Sequence, residues 1–236
     1  VHEGGHALYE LHVGRELSRT CLGGGVSMAI HESQSRFYEN IIGRSRAFCG
    51  GIYPWLREHF APRLDDVSQD AFYRMINKAQ PSLIRTEADE LTYCLHIMVR
   101  YELERRMFAG ELTAHDLPAE WNRLYKAYLG VDVPNDREGI LQDSHWANGN
   151  IGYFPSYAIG SAYGAQYLRQ MQKDFDVSAA VATGRLTQIN CWLEEKIWKY
   201  GCMKDPTPLF ESVCGPFDPT CYTAYLRDKF TEVYGL

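Results

Sequence analysis

The chain has 236 residues, with 24 basic against 30 acidic side chains and a formal charge of −6. That length is enough for a substantial core, and 45% apolar with 23% charged residues excludes a disordered, collagen-like or coiled-coil chain. The mild acidity speaks against a nucleic-acid binder, and no run of apolar residues is long enough to span a membrane.

In chain order the spacing is helical almost throughout. Apolar residues three and four apart predict helices over 26–42, 71–78, 82–111, 119–129, 157–171, 186–200 and 221–233. The longest carries Leu83, Ile84, Ala88, Leu91, Leu95, Met98, Val99, Leu103 and Met107 on one broad face. Asp116 with Pro118 opens a helix that Gly130 closes, and Asp218 with Pro219 opens the last one. Residues 20–27, with three glycines, read as a loop or one short strand. No repeat or flexible linker interrupts the pattern, so the expectation is a mostly α fold in one continuous domain, 1–236. The final helix gives out at the terminus, which makes that end look natural. No signal peptide opens the chain, although it does not begin with Met. Seven cysteines, an odd number without a C-x-x-C pair, read as small buried hydrophobes in a reducing, cytoplasmic setting.

The first six residues are Val1-His2-Glu3-Gly4-Gly5-His6, an H-E-x-x-H motif. On a helix, residues four apart stack on one face, so His2 and His6 can offer two imidazole nitrogens to one metal ion. Glu3 lies one residue round, placed to reach a metal-bound water rather than the ion. Chance would supply about 0.03 such matches in a chain of this composition. Adjacent glycines cost a helix about 1 kcal/mol each relative to Ala, so Gly4 and Gly5 point to close approach of a substrate or a neighbouring element. A catalytic zinc takes three protein ligands and keeps one open position. Glu32, in Val26-Ser27-Met28-Ala29-Ile30-His31-Glu32-Ser33-Gln34, is the candidate third ligand, returning on the second helix after the Gly23-Gly24-Gly25 turn. His31 points away from Glu32 and reads as a ligand's partner or a surface residue, and His12 is off the His2–His6 face.

These blocks, with Ile84-Arg85-Thr86-Glu87-Ala88-Asp89-Glu90 and Gly139-Ile140-Leu141-Gln142-Asp143-Ser144-His145-Trp146, resemble the signature blocks of the carboxypeptidase Taq family of zinc- or cobalt-dependent metallocarboxypeptidases. The resemblance implies His2, His6 and Glu32 as ligands of Zn²⁺ or Co²⁺ and Glu3 as general base and acid. It also implies a helical, gluzincin-type zincin fold, a peptide substrate cut at its C-terminal bond, and a homodimer. By family position Arg85 would bind the substrate's terminal carboxylate, the alternative being an i, i+4 surface pair with Asp89. Gln142 would assist it. His145 would reach the substrate or the oxyanion, or else belong to a structural polar knot. Tyr153 and Tyr157 are candidates for a phenol that stabilises the oxyanion, as in the related oligopeptidases.

Two departures stand out. The His-Pro-Phe and Asp-x-Arg-x-Thr blocks of the family do not occur, and the first ligand is residue 2. The chain is therefore expected to be the C-terminal catalytic portion, lacking the N-terminal half, with weak metal binding, little activity and apolar faces that favour oligomerisation. Many relatives with this motif also place an Asp four residues after the ligand Glu, where this chain has Arg36; Glu39, Asp89 or Asp143 would then orient the histidines. The competing readings are an oligo-endopeptidase on the same scaffold and a non-catalytic fragment or interaction module.

Overall fold

The computed structural model describes Val1–Leu236, and every regular element in it is a helix. In order these are α1 (His2–Leu11), α2 (Met28–Arg36), α3 (Arg46–His59), α4 (Gln69–Ile76), α5 (Tyr93–Phe108), α6 (Leu117–Leu129), α7 (Pro155–Met171), α8 (Val177–Ala182), α9 (Leu186–Lys196), α10 (Pro206–Cys214) and α11 (Thr220–Tyr234). Helix starts follow local chemistry. Ser27, Ser45, Ser68 and Asp176 each accept a hydrogen bond from the backbone N–H three residues on, at the mouths of α2, α3, α4 and α8. Gly130 and Gly235 adopt the left-handed conformation that closes α6 and α11.

The chain divides into two units, Val1–Asn77 with Ile159–Leu236, and Lys78–Ala158. The first is built on a core that includes Tyr9, Ile30, Phe37, Tyr167, Trp198 and Phe210, all almost fully buried. Each such side chain contributes roughly 1.5–3 kcal/mol of burial. The second packs α5 on α6 through Val99, Leu103, Trp121, Leu124 and Tyr125, beside a smaller cluster of Tyr93, Ile97 and Phe154.

The expected helix over 82–111 is only half right, because α5 starts at Tyr93. Ahead of it Arg85–Glu87 make one 3₁₀ turn and Ala88 is extended. Asp89 holds this break open: its carboxylate accepts from the Thr92 N–H and hydroxyl and from the Gln80 N–H, bonds that compete with a continuing helix. Three helices, α3, α8 and α10, were not legible in the spacing. The predicted helix over 26–42 is found as α2 running into wider π-helical turns over Phe37–Ile42. All seven cysteines are free thiols; Cys49 and Cys221 are buried, but Cys21 and Cys191 are exposed. No helix is long and apolar enough to cross a membrane.

Candidate metal centre

The helix α1 delivers His2 and His6 on one face, and α2 delivers Glu32 from the neighbouring helix. Two glycines let these elements approach. A Cβ on Gly5 would fall 2.6 Å from the Gln34 carbonyl oxygen and 2.7 Å from the Ser35 Cα, so α1 rests directly on the main chain of α2. Gly4 has open space around it. The predicted close approach is thus a helix crossing at Gly5.

Glu32 Oε2 lies 3.6 Å from His2 Nε2 and 3.8 Å from His6 Nε2. The three candidate ligand atoms all lie within 4.8 Å of one another. A tetrahedral ion with arms of about 2.0–2.1 Å sets its donors about 3.4 Å apart, so small side-chain movements suffice to hold one. The chemistry agrees with the spacing. Two imidazoles and one carboxylate leave a divalent ion with a net charge of +1, the excess that acidifies a water. Burial lowers the His6 pKa; Glu32 opposes this, while His2 and His31 add to it, which favours the neutral ring that a metal requires.

Each candidate ligand has a hydrogen-bond partner, as metal ligands generally need: the two imidazoles through the ring nitrogen turned away from Glu32, and Glu32 through the oxygen that faces them. His2 Nδ1 bonds Glu39 Oε2 at 2.8 Å. His6 Nδ1 faces His31 Nδ1 at 3.1 Å. Ser35 Oγ donates to Glu32 Oε2 at 2.8 Å. Burial alone would raise the pKa of Glu39, but the hydrogen bond with His2 and the charges of Arg36 and Arg44 bring it down to about 2. Arg36 therefore has a use at the position where relatives with this motif place Asp: its Nη1 donates to Glu39 Oε2 at 3.0 Å, steadying the group that steadies His2. Of the three acids named from sequence as orienting groups, Glu39 is the one on His2. Glu3 is exposed and close enough for its charge to act on His6.

The remaining site candidates gather in the Lys78–Ala158 unit. Arg85 is buried and does not pair with Asp89. Its Nε and Nη2 donate to Asp143 Oδ1 at 2.9 and 2.7 Å, and its Nη1 to the Tyr93 hydroxyl at 2.9 Å. Burial opposes its charge, but Tyr93 and Asp143 keep its pKa above the ordinary arginine value. Asp143 is held below the usual carboxylate range; burial would raise it, and Arg100 and Arg85 outweigh that. The Gln142 amide is occupied by protein groups: Oε1 accepts from the Arg85 N–H and Arg100 Nη2, and Nε2 donates to the carbonyls of Leu83 and Glu138. His145 Nε2 and the Tyr157 hydroxyl are 3.1 Å apart. The Arg85 guanidinium sits over the Tyr157 ring, 4.9 Å from its centroid, and Tyr153 packs edge-on to Tyr157 at 5.2 Å.

Arg100, fully buried and shared between Asp143 and Gln142, escaped the reading of the sequence. The signal was an arginine one turn from His96 and beside Val99 and Leu103 on the inward face of α5. Ser35 and Glu10 escaped it as well, since neither residue type nor spacing marks them. A cavity of about 900 Å³, lined by Arg46, Leu168, Cys221 and Lys229 among others, contains none of the candidate residues.

Known proteins resemble the chain over nearly all its length. The family model described as Carboxypeptidase Taq (M32) metallopeptidase matches residues 1–230. Carboxypeptidase 1 of Bacillus subtilis is 45% identical over 236 residues, covering 99% of this chain and 47% of that protein. The crystal structure of the M32 carboxypeptidase from Deinococcus radiodurans R1 superimposes with a TM-score of 0.96 at 42% identity, over 100% of this chain and 48% of that one. The structure of Pyrococcus furiosus carboxypeptidase gives a TM-score of 0.95 at 44% identity, over 98% and 46% of the two chains. The chain thus spans about half the length of the relatives it matches.

Proposed function

Because the chain belongs to the carboxypeptidase Taq (M32) metallopeptidase family, we propose that it carries the metal centre of an enzyme that hydrolyses the C-terminal bond of peptides. The observation that carries this reading is the convergence of His2, His6 and Glu32, with Glu39 and His31 behind the two imidazoles and Ser35 on the facing oxygen of Glu32. Zn²⁺ and Co²⁺ both suit that donor set. When bound, the ion supplies Lewis-acid polarisation of the scissile carbonyl and acidifies water.

The chain's own residues do the rest. Glu3, exposed beside His6, takes the proton of the attacking water and returns it to the leaving amine. Arg85 is assigned to the terminal carboxylate of the peptide, with Gln142 and Asp143 setting its orientation. His145 and Tyr157, which share a hydrogen bond, are assigned with Tyr153 to the developing oxyanion. The resemblance carries a homodimer, and the seven cysteines, an odd number without a C-x-x-C pair, suit a cytoplasmic protein.

Paired peptides with a free or an amidated C-terminus test the reading on metal-loaded protein. Release of the last residue from the free peptide alone is expected, at the low rate anticipated for a chain that spans about half the length of its relatives. Equal cleavage of the amide would make the protein an endopeptidase, and cleavage of neither with metal bound would leave a non-catalytic module.

A further inference from the structure

His6 and His31 meet Nδ1 to Nδ1, 3.1 Å apart, so only one of these nitrogens carries a hydrogen. The other nitrogen of His31, Nε2, is 2.6 Å from Glu10 Oε1, and an ionised carboxylate can only accept. The hydrogen of a neutral His31 is therefore on Nε2, its Nδ1 is a lone pair, and His6 donates from its own Nδ1. That places the lone pair of His6 on Nε2, the atom facing Glu32. A neutral histidine in water favours the opposite tautomer, with the hydrogen on Nε2, so this form has to be imposed.

Glu10 and His31 are themselves fixed. The same Glu10 oxygen accepts the Gly25 N–H at 2.8 Å. Gly25 lies flat against the imidazole: a Cβ there would fall 2.3 Å from His31 Nε2 and 2.8 Å from the Tyr9 ring. The Tyr9 ring covers the imidazole at 4.8 Å between centroids. The last glycine of the turn between α1 and α2 is thus the seat of the ring.

We propose that His31, held by Glu10 and Gly25, is a positioning residue that sets the tautomer of His6 and so presents its Nε2 to the metal. This rests on the metal-centre part of the functional reading and on neither the substrate nor the reaction. His2 receives the same service from a carboxylate, Glu39, without an intervening ring.

Nitrogen-15 NMR of the histidine side chains in the metal-free protein, with Zn²⁺ titration of the same samples, tests it. The wild-type protein should show His6 with its hydrogen on Nδ1. His31→Leu should move that hydrogen to Nε2 and weaken Zn²⁺ binding by about 10–100-fold. His31→Asn, whose amide oxygen replaces the acceptor, should recover affinity to within a few-fold, which a variant that merely misfolds would not. Gly25→Ala alters no polar group, yet should shift the tautomer the way His31→Leu does. Finding His6 with its hydrogen on Nε2 in the wild-type protein, or Zn²⁺ affinity within twofold of wild type in His31→Leu, would overturn the proposal. If peptide hydrolysis fails while tautomer and affinity follow the pattern, the carboxypeptidase reading falls alone. If the wild-type protein binds Zn²⁺ no better than His6→Ala, the metal reading falls and the His6 tautomer still decides the role of His31.

Discussion

Gly160 on α7 presses its bare Cα against Glu32: a Cβ there would sit 2.6 Å from both the Glu32 carbonyl carbon and its Cβ. Main chain cannot yield as a flexible side chain can. Gly160→Ala should therefore cost about 1–3 kcal/mol in urea unfolding and weaken Zn²⁺ binding as α2 shifts. Gly164→Ala, one turn on, where the nearest atoms would be at 3.4 and 3.5 Å, should leave both nearly unchanged.

Glu3 takes part in neither the ligand set nor the groups behind it. Glu3→Gln should lower kcat by about 10²–10⁴-fold with Zn²⁺ affinity within about threefold of wild type. A steady-state assay and a metal titration on one sample check this. A variant retaining full turnover would remove Glu3 from the mechanism.

His96 gives the Lys78–Ala158 unit a predictable acid sensitivity. It is fully buried, with Nδ1 against the Tyr125 hydroxyl and no partner for Nε2. Burial, reinforced by Arg100 and Arg85 and opposed by Asp89 and Asp143, lowers its pKa from 6.5 to about 4. Between those values the unfolded chain holds a proton that the folded chain refuses, so stability falls as pH falls. The full contribution is present above the unfolded value. At pH 5 about 2 kcal/mol should be lost relative to neutral pH. Urea unfolding of wild type and His96→Leu at both pH values isolates the effect, which the variant should lack.

Asp143 neutralises two buried arginines at once. Arg85 binds one oxygen and Arg100 Nε the other, at 2.7 Å. Asp143→Asn would leave two guanidinium groups facing each other out of water, and a loss of about 3–5 kcal/mol is expected in denaturant titration. The exposed Lys126–Asp132 pair makes the comparison, since Asp132→Asn should cost less than about 1 kcal/mol.

The convergence of His2, His6 and Glu32 was legible in the sequence because its geometry is local. Four-residue spacing puts His2 and His6 on one face, and a glycine turn brings a second helix back with Glu32. Ser45 at the start of α3 was an equally clear signal, but Gly50, Gly51 and Pro54 within Arg46–His59 hid that helix, since each ordinarily argues for a break. The start of α5 departs from the spacing for the opposite reason: apolar residues run on through 82–92 while Asp89 diverts the backbone bonds. The apolar stripe also misled, because Leu91 and Met98 are exposed while His96, Arg100 and Glu104 are buried. A face whose inward residues are polar or charged looks outward in any hydrophobicity pattern. Of the groups beside the histidines, Glu39 and His31 were candidates in the sequence, whereas Glu10 and the bond from Arg36 to Glu39 gain meaning only from the packing of α1 against α2.

Main chain meets α2 from both flanks, Gly5 of α1 at Gln34 and Ser35 and Gly160 of α7 at Glu32. A helix clamped between two such rails cannot be nudged by enlarging or trimming a neighbouring side chain, as most helices can. Evolution and protein engineering alike have no graded control over where Glu32 stands; the adjustable parts of this centre are the residues that aim the two imidazoles.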